Sequence, residues 1–558
     1  MTPALVTLMI LLSAGRIVST YRTFSEQEDE PPHIADGLDW WQPGLRIASP
    51  PEHPPLARIF IAAPLHFQGI RYQSFINQSF AGNTALLTGG RFAENLAWVR
   101  LGNLPFWILA CIFLFAVARL TWGEAPALLA LLFFSTLPPA LGIAGWAYTD
   151  MALVAGMLFF AWRWVAVIDR PNVANGCWLG VSIGFAVMSK YSAIPYIVLA
   201  TGFTALLAIR ERGTFSLPAR ATWNRAGALL LWVMLTAFLF SWACFRFTVE
   251  PTSAKPTHAS VDKRLGSTGV LHQMADTALA TPLPLAGMIR GLAQLVRHAG
   301  NGQVVYNLGA IRRKGTLYYF PILLAVTIPV GLLALMIWGG LSLRRVPHGA
   351  GIDFRRQVLL TIPAAILSVN LFSSINFGYR HNLAFYPFVC LVAGIGVVYW
   401  WSRGQTWMRA LVMLLVGQHL VSSAMAHPDY ASFFNFLAGR HPERICLASI
   451  GGGDEYRLAA RLKQLNAAHV CLGLMHDVPL DALGLPPYTL LKRNLPCEGL
   501  VAVALRPYYF DPESPEPGDT GLAWLHAYEP AERIGSSILL FRVPESPANP
   551  RNLPQPQR

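Results

Sequence analysis

The stretch that concentrates reactive side chains is residues 21–56, YRTFSEQEDEPPHIADGLDWWQPGLRIASPPEHPPL. Asp29, Glu30, His33, Asp36, Asp39, Glu52 and His53 all fall within it, directly after a short apolar N-terminal run. Loops between membrane spans seldom gather so many titratable groups without a use for them. A carboxylate at Asp29 or Glu30 could accept the proton of a hydroxyl as that oxygen attacks an anomeric carbon. A phosphate leaving group would depart as an anion and need cationic clamps rather than a general acid. The competing reading is a solvated acidic loop.

Other residues fit the same chemistry. In EHPPL (52–56) the paired prolines fix the backbone, so Glu52 and His53 would be presented with little entropic cost. They could order the loop, orient an acceptor or, with His33 or other acids, bind a divalent metal. Their spacing matches no closed zinc motif, and no cofactor is required by it. Asp150, in WAYTDMAL (146–153), sits at the end of an apolar span, where a carboxylate is costly to bury. Lys190 lies at another span end, where its ammonium could meet a phosphate or simply snorkel beside Tyr191. Arg380 and His381 occupy a brief turn between two spans, NFGYRHNLAFYPF (376–388). A guanidinium with no carboxylate near it in sequence suits an anionic phosphate or a lipid head group. Arg312, Arg313 and Lys314 offer a second, looser phosphate site.

What must position these groups is a membrane scaffold. The 558 residues are 54% hydrophobic and only 13% charged, with a mean hydropathy of +0.41. Apolar runs long enough to cross a bilayer recur at 4–20, 103–120, 126–146, 151–168, 177–190, 192–209, 226–247, 317–343, 357–373, 383–401 and 408–426, about eleven in all. The formal charge of +13 raises the question of nucleic acid. However, the basic residues cluster between apolar runs, which points to orientation and anionic lipid instead. With the N-terminus inside, the short inner loops carry Arg119, Arg170, Arg210, Arg212, Arg220, Arg225, Arg344, Arg345, Arg355, Arg356, Arg403 and Arg409, a positive-inside pattern. Loop 21–102, loop 248–316, turn 374–382 and the tail from 427 then lie outside, and Arg312–Lys314 are discordant. LARIFIAAPLHF (56–67) is too short to span and reads as an interfacial helix.

The organisation predicted is a transmembrane domain over 1–426 with a reactive first outer loop at 21–102. An extracytoplasmic α/β domain over 427–545 and a disordered, Pro-rich tail over 546–558 follow. RICLASI (444–450), HVCLGLM (469–475), GLVAVAL (499–505) and SSILLFRV (536–543) read as strands, and EYRLAARLKQLNAA (455–468) as a helix. Of Cys446, Cys471 and Cys497, two could pair outside the cytoplasm, and the spacing does not say which.

DEPPHIADG (29–37), EHPPL (52–56), YTD (148–150), SKYSA (189–193), GYRHNLAFYPF (378–388), HPDYASFFNFLAG (427–439) and WLHAYEPAERIGSSILLFRV (524–543) occur in order along the chain. As a set they resemble the C-type glycosyltransferase superfamily, and within it the bacterial protein O-mannosyltransferase and aminoarabinose transferase group (family 39). Where relatives often carry an Asn/Asp-Trp-Gly-Gln-Asp stretch, this chain has SIGGGDEYRLAARL (449–462). The resemblance implies an inverting transfer from a polyprenyl-phosphate sugar to an acceptor on the outer face of the cytoplasmic membrane. The acceptor would be a protein, lipid or glycan. It makes Asp29 the catalytic base, Asp150 its support, and Lys190 and Arg380 phosphate contacts. A transporter or flippase of lipid-linked sugars is the rival reading. Such proteins place ionisable groups near the bilayer midplane, often in repeated halves, whereas here the charges map to one predicted surface.

Overall fold

The computed structural model describes residues 2–42, 53–71, 73, 77–212, 220–252, 273–274, 277, 279–302, 304–312, 314–343, 350–474, 478–509 and 521–544. Eleven helices lead the chain: α1 (Thr2–Val18), α2 (Glu30–Trp41), α3 (Leu56–Phe67), α4 (Gln78–Leu87), α5 (Phe92–Trp122), α6 (Glu124–Ser135), α7 (Pro138–Ala144), α8 (Asp150–Asp169), α9 (Val173–Ser189), α10 (Ala193–Arg212) and α11 (Arg220–Cys244). Further helices at Tyr319–Thr327, Val330–Ser342, Ala350–Leu371, Tyr386–Ser402 and Thr406–Met425 complete the apolar part.

Every predicted apolar run coincides with one of these helices or with a bent pair. Among the described residues, six helices are long and apolar enough to cross a membrane, or up to eight if each bent pair counts as one span. The α6–α7 pair bends by 63° where Pro138 and Pro139 begin α7, and the pair at 319–342 bends by 118° at Pro329. Proline removes a donor and crowds the preceding turn, so each break falls where the sequence puts the ring. The chain is a multi-span membrane protein. Leu56–Phe67 is a helix, as expected, with Leu56, Ala57, Arg58, Ile61, Ala62 and Leu65 buried.

Three short helices follow α1 and pack together beside α5. Gly37 allows α2 to meet α3, because a Cβ there would lie 2.2 Å from the carbonyl oxygen of Arg58. The start of α2 is held by Glu30, which bonds Arg100 of α5 and the N–H of Ala147 just before α8.

Short antiparallel ribbons, β1 (Val249–Pro251) with β2 (Pro282–Pro284) and β3 (Val305–Asn307) with β4 (Ala310–Arg312), decorate the long loop after α11. The C-terminal part forms a mixed five-stranded sheet from β5 (Val470–Gly473), β6 (Tyr488–Leu490), β7 (Gly499–Ala504), β8 (Glu532–Ile534) and β9 (Ile538–Val543). The strand order is β6-β5-β7-β9-β8. The helix Glu455–Gln464 covers one face through Leu458 and Leu462.

Three of the four expected strands and the helix are therefore present. RICLASI is not a strand: it folds as a short helix, Pro442–Ile445, and a 3₁₀ turn, Leu447–Ser449. The buried Cys446 thiol, 2.9 Å from Tyr319 Oη, takes this segment into the junction with the helical part instead. Cys471 and Cys497 are joined in a disulfide, while Cys446 is free. The expected disorder of 546–558 lies outside the described residues.

A second glycine holds the C-terminal unit to its turn. The Asp454 carboxylate is fully buried and accepts from the backbone N–H groups of Ser536 and Ser537 at 2.8 and 2.9 Å. Gly535 has φ +57°, and a Cβ there would fall 2.1 Å from Asp454 Oδ1. Gly535→Ala is expected to lower the unit's stability by roughly 2–4 kcal/mol, from left-handed strain plus loss of these buried bonds. Limited proteolysis of purified protein checks this: the variant should be cut within 440–544 at a protease dose that leaves the wild type intact.

Candidate active site

Asp29 occupies the N-cap of α2, with Pro31 and Pro32 in the first turn. An N-cap aspartate ordinarily bonds its own helix, but this side chain makes no capping bond. It accepts instead from Arg380 Nη1 at 2.5 Å. Burial alone would raise the Asp29 carboxyl; the charge and hydrogen bond of Arg380 outweigh it and hold the group well below the usual carboxylate range. Arg380 lies over the ring of Tyr148 at 4.9 Å and near Phe377 at 5.1 Å. Arg380 has no carboxylate near it in sequence, and its partner in the fold lies 351 positions away.

Asp150 opens α8 and Lys190 follows the end of α9, so both stand at the same end of the bundle. Lys190 Nζ donates to Asp150 Oδ1 at 2.7 Å, and the Asp150 side chain is only 3% exposed. The two residues read separately in sequence form one buried pair. Removing one partner of such a pair costs about 3–5 kcal/mol, because it strands the other charge. Lys190→Met should therefore unfold at lower temperature, whereas Asp150→Asn with Lys190→Met should recover most of that loss. Thermal unfolding of the purified variants in detergent measures both.

Glu30 stands apart from this set. Its carboxylate is fully buried and accepts from Arg100 Nε at 2.9 Å and Nη2 at 2.8 Å, from Ala147 N at 2.9 Å and from Gln27 N at 2.8 Å. Arg100 also donates to the carbonyls of Tyr21, Phe24 and Ser25 at 2.7–2.9 Å. With both oxygens so engaged, Glu30 has no lone pair turned to a substrate. We correct its assignment from proton transfer to loop architecture.

His33 and His53 meet edge to face, with ring centroids 5.3 Å apart, and His33 also abuts Tyr148 at 6.3 Å. Burial drives the His33 imidazole down to about 3 and His53 well below its ordinary value, so both are neutral at neutral pH. Buried His33 Nδ1 has no hydrogen-bond partner among the described residues. His381 places its ring 6.3 Å from that of Phe377. Glu52 and Arg313 lie outside the described residues. Among the described residues, no three His, Cys, Asp or Glu side chains converge to hold a metal ion.

A cavity of about 130 Å³ opens beside Asp29 and Arg380. The membrane part contributes Trp146, Tyr148 and Phe377, and the C-terminal part contributes Ser449, Glu455 and Arg506. The two parts are stitched together here. Ser25 N donates to Gly453 O at 2.9 Å, Ser25 Oγ to Glu455 Oε2 at 2.5 Å, and Arg506 Nη1 to Glu28 Oε2 at 2.6 Å.

Sequence reading passed over Arg58, Arg100 and Arg506. Arg58 pairs with Asp36 at 2.5 Å and Arg100 with Glu30, both buried. Each had a signal, since a lone arginine in an apolar run, as in LARIF and AWVRLGN, needs a buried partner. Arg506 had none.

Residues 92–242 match the family profile described as dolichyl-phosphate-mannose-protein mannosyltransferase. That segment takes in Asp150 and Lys190, and it agrees with the family resemblance carried by the motifs. Similar solved structures include ArnT from Cupriavidus metallidurans bound to undecaprenyl phosphate, at 13% identity over 100% of both chains with a TM-score of 0.49. The archaeal oligosaccharyltransferase AglB from Archaeoglobus fulgidus, in complex with an inhibitory peptide and a dolichol-phosphate, is 12% identical over 87% of this chain and 64% of its own, with a TM-score of 0.41. The Pmt1-Pmt2 protein O-mannosyltransferase complex of S. cerevisiae, bound to the sugar donor, is 15% identical over 44% and 33%, with a TM-score of 0.33. No curated protein matches the chain.

Proposed function

We propose that this protein is a membrane glycosyltransferase that moves a sugar from a polyprenyl-phosphate donor to an acceptor hydroxyl, with inversion at the anomeric carbon. One observation carries the reading: a carboxylate held ionised by a guanidinium, Asp29 with Arg380, stands at the mouth of a cleft at the end of an apolar helical bundle. The family match over residues 92–242 supports the same class of donor. The reaction takes place on the outer face of the cytoplasmic membrane, where the arginine distribution puts the first loop and the C-terminal unit.

In the mechanism, the acceptor oxygen attacks the anomeric carbon as its proton passes to Asp29. The bond from that carbon to the phosphate oxygen breaks, and the polyprenyl phosphate leaves as an anion. Arg380 and Lys190 hold that phosphate. An arriving phosphate competes with Asp29 for Arg380. Once Arg380 turns to the donor, the carboxylate loses part of its counter-charge and becomes a stronger base where one is needed. Asp150 keeps the Lys190 ammonium in place, and neutral His33 is available to bond a sugar or acceptor hydroxyl.

The test is transfer in membranes supplied with labelled polyprenyl-phosphate hexose and pentose donors. Label passing into protein, lipid or polysaccharide supports the reading and identifies the acceptor fraction; no transfer from any donor removes it. Phosphate contact by Lys190 is separable from its structural part. The folded Asp150→Asn/Lys190→Met double variant should bind donor about tenfold more weakly than wild type, the loss of one charge-assisted bond. Unchanged donor affinity would confine Lys190 to holding Asp150.

A further inference from the structure

Arg506 lines the same cleft as Arg380 but comes from the C-terminal part of the chain. Its guanidinium lies 5.8 Å from the Phe377 ring centroid, and Arg380 lies 5.1 Å from the same ring. Among the described residues its carboxylate partner is Glu28, whose side chain is 49% exposed, while Arg506 itself is 23% exposed. So exposed an ion pair contributes little, and a better-matched oxyanion can displace it. The aromatic face meanwhile keeps the guanidinium in position at low entropic cost.

The rest of the cleft is built for a small amphipathic ring. Trp146, Tyr148, Phe377 and Tyr379 line it, and Trp146 and Tyr148 meet edge to face at 5.3 Å. Its volume of about 130 Å³ is room for about four waters at roughly 30 Å³ each, close to that of a cavity that takes one six-membered ring. Such aromatic walls take the apolar faces of a sugar and leave its edges to polar groups.

We infer that the cleft is an acceptor subsite for a sugar bearing an oxyanion, a phosphate or a carboxylate, and that Arg506 binds that anion after displacing Glu28. This rests on the glycosyltransferase reading for the word acceptor, although binding can be measured without it. Arg380 and Lys190 are assigned above to the donor phosphate, and among the described residues Arg506 is the cation that the C-terminal part adds to the cleft. Because Glu28 adjoins Asp29, the same exchange frees the segment that carries the base.

The experiment uses the full chain in detergent, saturated with polyprenyl phosphate to occupy the donor side. Glucose 6-phosphate, glucuronate and glucose are titrated in turn by calorimetry into wild type, Arg506→Gln and Glu28→Gln. At least one anionic sugar should bind wild type about tenfold or more tightly than glucose. That preference should vanish in Arg506→Gln and grow in Glu28→Gln, which lacks the internal competitor. The stronger of the two ligands names the anion. Retained polyprenyl-phosphate binding establishes that each variant is folded. Equal binding of all three sugars by wild type, or an anion preference that survives Arg506→Gln, overturns the inference. Sugar transfer without any effect of Arg506→Gln on anion binding would leave the enzyme reading standing alone; anion binding as expected without transfer would do the reverse.

Discussion

Asp29→Asn reduces sugar transfer by about 10²–10⁴-fold while leaving the protein folded and inserted. That range is what a positioned general base contributes. The substitution keeps the side-chain volume and one hydrogen-bond acceptor for Arg380, so donor binding should change far less than turnover. The pH dependence follows from the ion pair. Arg380 holds Asp29 well below the usual carboxylate range, so the carboxylate is present above that low value and is lost only as pH falls through it. Between roughly pH 8 and pH 5, kcat/KM should therefore show no acid limb from this base. Transfer assays over that range, with wild type and variant side by side, check both statements. Normal turnover by Asp29→Asn would remove this residue from the chemistry.

The second large effect is on stability. Arg100→Met should destabilise the protein by about 3–5 kcal/mol, because it strands a buried carboxylate. The loss goes beyond one ion pair. Arg100 also satisfies the carbonyls of Tyr21, Phe24 and Ser25, and Glu30 in turn binds the N–H of Ala147 just before Asp150. Adding Glu30→Gln removes the stranded charge and should recover part of the loss, but not the three carbonyl bonds. Unfolding temperatures of the single and double variants decide it; a single variant as stable as wild type would show that the pair is dispensable.

Much of this site was legible in the sequence. The apolar runs gave the helices, and proline positions gave the bends. The acidic loop stood out because charge is expensive next to a membrane. What composition could not convey was pairing. Asp29 and Glu30 are adjacent and chemically alike, yet one faces Arg380 at the cleft and the other is sealed under Arg100. A helix start turns successive side chains to different sides, and only the tertiary neighbours decide which is free. The RICLASI segment failed for a related reason. Its apolar residues suit a strand, but Cys446 is drawn to Tyr319 and the chain turns there. Arg506 carried no local signal, since an arginine beside tyrosines on a surface is ordinary.

The stitching of Ser25 and Glu28 to Gly453, Glu455 and Arg506 bears on how the molecule is made. The loop that carries Asp29 leaves the ribosome more than 400 residues ahead of the segment that covers it, Ser25 and Glu455 being 430 positions apart and Glu28 and Arg506 478. A nascent chain therefore holds the Asp29–Arg380 pair before the cleft has its second wall. A chain cut between the two segments would keep the helices and the loop of Asp29 yet present only half of the cleft wall.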